Sequence, residues 1–368
     1  MTAPITIPLF DPSFQLAPLR ASLLAAAGEV IDSGRFVLGE QVQRFESELA
    51  AHLGVRHVIG VANGTDALTI ALRALGVGEG DEVIVPAFTF YASAEAIPPT
   101  GARPVFCDVD PETMLISAET VRAKLTPRTR AVIAVHLFGN VAPVREIEAL
   151  GVPVLEDAAQ ALGSSCPAGP AGALGAAATF SFYPTKNLGC LGDGGAIATC
   201  DERVAELART LRCHGSRDQR RFELVGRNSR LDELQAAFLR TLLPRLGQWC
   251  KARERAGEHY EQAGLGELVR LPARAAGVRA AWHVYVIRSA QVEAIAAALA
   301  RAGIASRIYY RPPLHRQPAM ARWARDVRLP VSEQLALRHL ALPAGPWIGP
   351  REAAAVRDCV AGTLSACA

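Results

Sequence analysis

A chain of 368 residues, half of them hydrophobic, carries enough apolar surface for a large buried core and for one large unit with a smaller one beside it. Its 39 basic and 36 acidic residues leave a net charge of only +3 and are mixed along the sequence, which excludes the basic stripe of a nucleic-acid or membrane-surface binder. No run of about 18 apolar residues is present, and Met1–Phe10 lacks a basic start followed by an apolar core, so a cytoplasmic protein is expected.

From about Arg56 short β-branched runs alternate with helical patterns. His57–Val61 reads as a strand, Thr65–Leu75 as a helix, Glu82–Val85 and Pro104–Cys107 as strands, and Ser117–Leu125 as a helix. Ala131–Val135 is a strand, Val144–Leu150 a helix and Pro153–Glu156 a strand. Such repetition implies a mostly parallel sheet with helices on both faces, and the strands are apolar nearly throughout, as two covered faces require. After Gly175 two candidate strands, Thr179–Phe182 and Ala196–Thr199, flank a glycine-rich loop. Helices follow at Glu202–Cys213 and Leu231–Tyr260, the latter interrupted by Pro244, then a strand at Trp282–Arg288 and helices at Val292–Ala302 and Arg351–Leu364. The expected division is a large domain over 1–250, with the N-terminal segment packed on it, and a smaller C-terminal α+β domain over 251–368.

Three stretches bring polar groups to strand ends, where open α/β sheets bind ligands. Lys186 is the single charged residue between Asp157 and Asp193 and one of only three lysines in the chain. An ammonium in so apolar a stretch is costly to bury, and a depressed pKa that leaves a nucleophilic amine is the usual escape. A lysine snorkelling from a surface loop is the plain alternative. At Ala62–Leu68 a strand gives way to a helix, and Gly64, the free amides of the helix start and the Thr65 hydroxyl make a phosphate seat, unless the polar residues there only cap the helix. Val152–Gln160 delivers Glu156 and Asp157 at a strand end, where an aspartate can keep a pyridine nitrogen protonated or simply cap the next turn. Ser181 stands where it can add a phosphate contact. One lysine, one carboxylate and one phosphate seat suit pyridoxal phosphate. The eight cysteines show no Cys-x-x-Cys pair or zinc-like spacing, so they read as reduced structural thiols and no metal is expected.

Motifs along nearly the whole length carry a resemblance. They are Ser33–Gly39, Phe45-Glu46, Gly64–Leu68, Gly80–Pro86, Val135–Gly139, Glu156–Gln160, Ser181–Gly189, Gly192–Gly195, Gly226–Asp232 and Pro313–His315. In this order the chain resembles the DegT/DnrJ/EryC1/StrS sugar aminotransferases, pyridoxal-phosphate enzymes of fold type I. The resemblance implies that Lys186 is the Schiff-base lysine and proton shuttle and that Asp157 pairs with the pyridinium nitrogen. It implies that Gly64, Thr65 and Ser181 hold the phosphate, joined by Asn228 from the second subunit of a homodimer with shared active sites. Gln160 would contact the cofactor's ring oxygen and Phe90 would stack on the ring, with Phe88 as the fallback.

For substrate, the resemblance implies an amino-acid donor, glutamate or glutamine, and a nucleotide-linked keto-deoxysugar with a C3 or C4 ketone. Tyr183, Tyr310 and His315 match positions that line the substrate side, each with a packed aromatic or satisfied histidine as its alternative. His136, at a strand end, reads as structural. Where relatives carry a lysine and a histidine before the Gly-x-Asn-Ser-Arg motif, this chain has Arg220–Val225, which leaves the sugar nucleotide open. Lys186 argues against the family's dehydratases, which resemble these enzymes but have histidine there. A cyclitol ketone as acceptor and a non-catalytic regulatory role are the competing readings.

Overall fold

Strands form where the sequence sets β-branched and small apolar residues in runs bounded by turns. In the computed structural model, which describes residues 6–366 and so leaves the start of Met1–Phe10 and also Cys367 outside the described residues, seven strands make the central sheet. They are β1 (His57–Val61), β2 (Glu82–Pro86), β3 (Arg103–Cys107), β4 (Thr129–Val135), β5 (Val154–Asp157), β6 (Ala177–Ser181) and β7 (Gly195–Thr199). Their order across the sheet is β1-β7-β6-β5-β4-β2-β3. β7 runs antiparallel to both its neighbours, and every other neighbouring pair is parallel.

Side chains alternate across each strand, so the sheet feeds two cores. Ile59, Val61, Ala177 and Ile197 point into one, under the helix Gly64–Ala74; Val58, Ala178, Phe180, Ala196 and Ala198 point into the other, with Phe45 and Leu49 of the helix Glu40–Leu53. Glu46 of that helix accepts from the Gly60 amide at 2.8 Å and pairs with Arg212 at 2.6 Å, which locks the helix to β1.

The candidate helix Leu231–Tyr260 divides into Glu233–Leu242 and Leu246–Gln262 with a 3-10 turn over Leu243–Arg245, because Pro244 has no amide to donate. Position 250 lies inside the second of these helices, so the chain leaves the large sheet through continuous helix. Beyond it β8 (Tyr285–Arg288) pairs antiparallel with β9 (His339–Leu342), and helices Val292–Arg301 and Pro350–Ala366 pack together. The expected strand at Trp282 starts only at Tyr285, since Trp282 takes a left-handed φ of 38° that no strand accommodates. Asp108, just past β3, accepts from the Val331 and Ser332 amides at 3.0 and 2.8 Å and so fastens the helix Pro330–Arg338 to the large sheet. The described cysteines are all free thiols, and no described helix is long and apolar enough to cross a membrane.

Candidate active site

β1 ends at Val61, and the Asn63 side chain caps the helix Gly64–Ala74 by accepting from the Asp66 amide at 2.8 Å. The Ala67 amide bonds the Asn63 carbonyl, while the amides of Gly64 and Thr65 meet no protein acceptor among the described residues. Two free amides at the positive end of a helix of 11 residues form an anion seat. Ser181, at the end of β6, closes one side of it: a Cβ on Gly64 would stand 2.8 Å from Ser181 Cβ and 3.4 Å from its Oγ. Across the other side Gly195 approaches Asn63 so closely that its own Cβ would lie 2.5 Å from the Asn63 carbonyl carbon. The start of the helix at Gly64 and Thr65 thus packs directly against Ser181, so close that only glycine fits at 64.

At the end of β5 the two adjacent carboxylates part, as strand alternation demands. Glu156 is fully buried and accepts from the amides of Gly172, Leu174 and Gly175 at 2.7–2.8 Å and from His136 Nε2 at 2.7 Å. The Ala142 amide donates to His136 Nδ1, which leaves Nε2 as the donor to Glu156. Burial alone would raise the Glu156 carboxyl, but the His136 ring and the loop amides hold it below its ordinary value. Glu156 and His136 therefore build the wall. Asp157 faces the other way, with Oδ2 accepting from Ser93 Oγ at 2.7 Å and Oδ1 from the Ala159 amide at 3.2 Å. Ser93 is a site residue that no local motif announces, since its helical turn has no contact with β5 in sequence.

The lysine loop, from Phe182 to Gly194, is pinned at its base, where the Phe182 amide donates to the Gly194 carbonyl at 2.8 Å and Cys190 donates back to Phe182. Phe182 packs edge-on against Phe45 beneath it. Lys186 is half-buried and enters no ion pair among the described residues. Burial lowers its amine to about 8, with Asp157 close enough for its charge to pull the value back upward. An amine so placed has a substantial neutral fraction near physiological pH, which an exposed lysine lacks.

Around this centre sits an aromatic wall. Tyr310 stacks on Phe138 at 5.9 Å and 5°, and Gln160 joins them, its Oε1 accepting from the Phe138 amide and its Nε2 donating to the Tyr310 hydroxyl, both at 2.8 Å. Each end of the Gln160 amide makes one protein bond and keeps a second N–H and lone pair for a ligand, and burial raises the Tyr310 phenol well above its ordinary value, so it stays protonated. Phe90 is 55% exposed and tilted against Tyr310, whereas Phe88 is fully buried against Phe138 and His339. Of the two rings only Phe90 is free to meet a ligand. Tyr183 is exposed. His315 is buried with Nε2 on Glu333 at 2.9 Å and Nδ1 without a partner among the described residues; burial keeps its pKa below the ordinary value against the pull of Glu333. Asn228 is exposed, on a segment fixed by Arg227 to Asp66 at 2.8 Å and by Ser229 to the Ala62 amide at 3.1 Å.

The family model of the DegT/DnrJ/EryC1/StrS aminotransferase family matches residues 19–361. The chain belongs to that family. It is an aminotransferase of the pyridoxal-phosphate fold type I architecture. Among its relatives, a UDP-N-acetyl-3-dehydro-alpha-D-glucosamine 3-aminotransferase of Acidithiobacillus ferrooxidans is 42% identical over 99% of this chain and 100% of its own. A protein of Geobacillus stearothermophilus named pleiotropic regulatory protein is 42% identical over 93% of this chain and 94% of its own. The crystal structure of DesV from S. venezuelae, in complex with a ketimine intermediate, superposes with a TM-score of 0.93 at 40% identity, covering 96% of this chain and 97% of that one.

Proposed function

We propose that the protein transfers an amino group from glutamate or glutamine to a nucleotide-linked keto-deoxysugar, using pyridoxal phosphate held by Lys186. The observation that supports this reading is a half-buried amine lowered to about 8, a fixed carboxylate close enough to act on its charge, and a helix start with free amides packed against Ser181. When bound, pyridoxal phosphate supplies an aldehyde that takes up amines and a protonated ring that accepts the electron pair left at the substrate carbon.

The chain's own residues divide the remaining work. Gly64, Thr65 and Ser181 would hold the phosphate, Phe90 would stack on the ring, and Asp157, aligned by Ser93 and the Ala159 amide, would keep the ring nitrogen protonated. Lys186 Nζ would hold the cofactor's aldehyde and would be the base that takes up a proton at the substrate carbon, as a base whose pKa is close to the working pH does best. Gln160 would contact the cofactor's ring oxygen through its remaining N–H while its other bonds hold Phe138 and Tyr310 in the aromatic wall. Tyr183, Tyr310 and His315 line the substrate side. Asn228, which its own subunit holds outward, completes the phosphate seat of a partner subunit in a homodimer.

The full-length resemblance to a 3-aminotransferase supports a C3 ketone over a C4 one, and glutamate over glutamine is the plainer donor. A panel of nucleotide-linked 3-keto and 4-keto sugars and cyclitol ketones, offered with either donor and scored by product mass, tests this. Amination of a 3-keto sugar nucleotide is the expected result; amination of the cyclitol alone would move the enzyme to that branch. A visible absorption band with the cofactor, lost together with turnover in Lys186→Ala, is expected. Its absence from the wild type, together with binding to DNA without cofactor, would instead support the regulatory role that one relative's name suggests.

A further inference from the structure

Asn187 follows the lysine directly in the chain, and the reaction above gives it no task. It is 3% exposed. Its carboxamide donates both N–H groups to carbonyls of two other segments, Leu162 at 3.3 Å and Ala281 at 3.2 Å. Two acceptors on one side fix which end of the amide faces them, because a flipped amide would set its oxygen against both carbonyls. That orientation leaves Oδ1 closed from solvent and without a partner among the described residues. A buried acceptor left without a donor works against stability, so packing alone does not account for an asparagine at this position.

Both carbonyls belong to segments that carry other parts of the site. Leu162 stands two residues after Gln160, in the turn that leaves β5, and Ala281 lies just before β8, the first strand of the small unit. Ser164 joins these segments: its hydroxyl accepts from the Ala281 amide at 3.0 Å and donates to the Gly139 carbonyl at 2.6 Å. Gly139, at a φ of 99°, is pressed so close to the next residues that a Cβ would stand 2.7 Å from the Trp282 nitrogen. Its neighbour Phe138 bonds Gln160 through its amide and stacks on Tyr310 through its ring. One side chain therefore ties the lysine loop to the Gln160 turn, to the aromatic wall and to the entry of the small unit. Among the described residues, no other hydrogen bond leads from Pro184–Gly189 out of the loop.

We infer that Asn187 is the positioning residue of the lysine: by bonding the Leu162 and Ala281 carbonyls it fixes the backbone one residue from Lys186 and so sets the amine against Gln160 and the aromatic wall. Neighbouring Cα atoms lie about 3.8 Å apart at a fixed peptide plane, so a shift of this anchor passes directly to Lys186. Misplacing a reacting group by about 1 Å can slow a reaction on the order of a hundredfold. No covalent bond changes in this role. The inference rests on Lys186 being the reactive amine of the proposed reaction.

Its test uses the full-length enzyme as wild type, as Asn187→Leu, which keeps the bulk and loses both donors, and as Asn187→Ala. Loaded with pyridoxal phosphate and mixed with glutamate in a single turnover, both variants should lose the cofactor's visible band at least roughly tenfold more slowly, with the half-saturating glutamate concentration within about twofold of wild type. In the apo-enzyme, Lys186 is labelled with an amine-acylating reagent across pH and followed by peptide mass. Its midpoint should rise from about 8 towards 10.5 in the variants, because a loosened loop admits water to the amine. A merely structural role would lower the melting temperature and leave both readouts in place. An unmoved rate or an unmoved midpoint in a variant that melts cooperatively overturns the inference. A second measurement needs no variant: the Asn187 side-chain amide protons should exchange with solvent at least about a hundredfold more slowly than those of an exposed carboxamide, and exchange at the exposed rate overturns the inference equally. If borohydride traps no pyridoxal phosphate on wild-type Lys186, the reading of the lysine fails; a trapped lysine with an unmoved rate in the variants sinks the role of Asn187 alone.

Discussion

Lys186 concentrates most of the chemistry in one nitrogen, and its cost is measurable. In the apo-protein burial brings the amine from 10.5 to about 8, so the unfolded chain binds more protons than the folded one between these values. Stability therefore rises with pH across that window; below about 8 both states are protonated and the penalty stands in full. The urea midpoint of the wild type relative to Lys186→Met should increase as pH is raised from 8 towards 10.5, and a flat difference would show that burial does not strain the amine. Ser93→Ala removes the 2.7 Å bond that aligns Asp157. A hydrogen bond to a charged group is worth about 1.5–3 kcal/mol, so cofactor affinity should fall at least roughly tenfold, read from the cofactor-absorbance titration, with little change in folding. Lys186 was singled out as the lone charge of an apolar loop after β6, whereas Asp157 stands beside Glu156 at the end of β5 and was assigned by the resemblance. Ser93 was not legible, because the bond it makes spans 64 residues and no spacing encodes it. The resemblance chose Asp157 over Glu156, and the strand's alternation supplies the physical difference by sending Glu156 to the loop amides and His136.

At the scale of elements, strands buried on both faces gave uninterrupted apolar runs, and so β1 to β7 were readable to within a residue or two. The helix Glu40–Leu53 buries Val42, Phe45, Leu49 and Leu53, a helical spacing that was there to be read. The helix Arg20–Ser33 buries only Leu23 and Val30 in an alanine-rich run, too weak a stripe to announce itself. Close approach of elements was equally hidden, and Gly64 shows its consequence. Alanine there gains up to about 1 kcal/mol in helix propensity, but its Cβ would sit 2.8 Å from Ser181 Cβ, an atom held by β6 and unable to swing away. Overpacking of this kind costs about 1–3 kcal/mol and moves backbone, so the clash wins. Gly64→Ala should lower the urea midpoint of the apo-protein by the balance of these energies and, because the helix start must shift, also weaken cofactor binding in the absorbance titration. Wild-type affinity in this variant would mean that the helix start is not the phosphate seat.

For the whole molecule, the sheet class followed from strand-helix alternation, but the way the small unit is held did not. Asp108 reaches across 223 residues to the helix Pro330–Arg338, and the helix Leu246–Gln262 passes between units without a linker to mark a boundary. Asn228 poses the remaining large-scale question, because its exposed position on a segment anchored by Arg227 and Ser229 leaves it turned away from its own core. Complementation decides whether it serves a partner. Lys186→Ala and Asn228→Ala proteins are unfolded, mixed in equal amounts and refolded, with each variant refolded alone as a control. If Asn228 acts across the subunit interface, a mixed dimer holds one site with both residues intact: the site on the Asn228→Ala subunit keeps its lysine and receives a wild-type asparagine from its neighbour. Half the dimers would be mixed and half the sites in each restored, so activity should recover to about a quarter of wild type, as two-fold symmetry dictates. If Asn228 serves its own subunit, every site in the mixed dimer carries a lesion and the mixture stays at the level of the two controls.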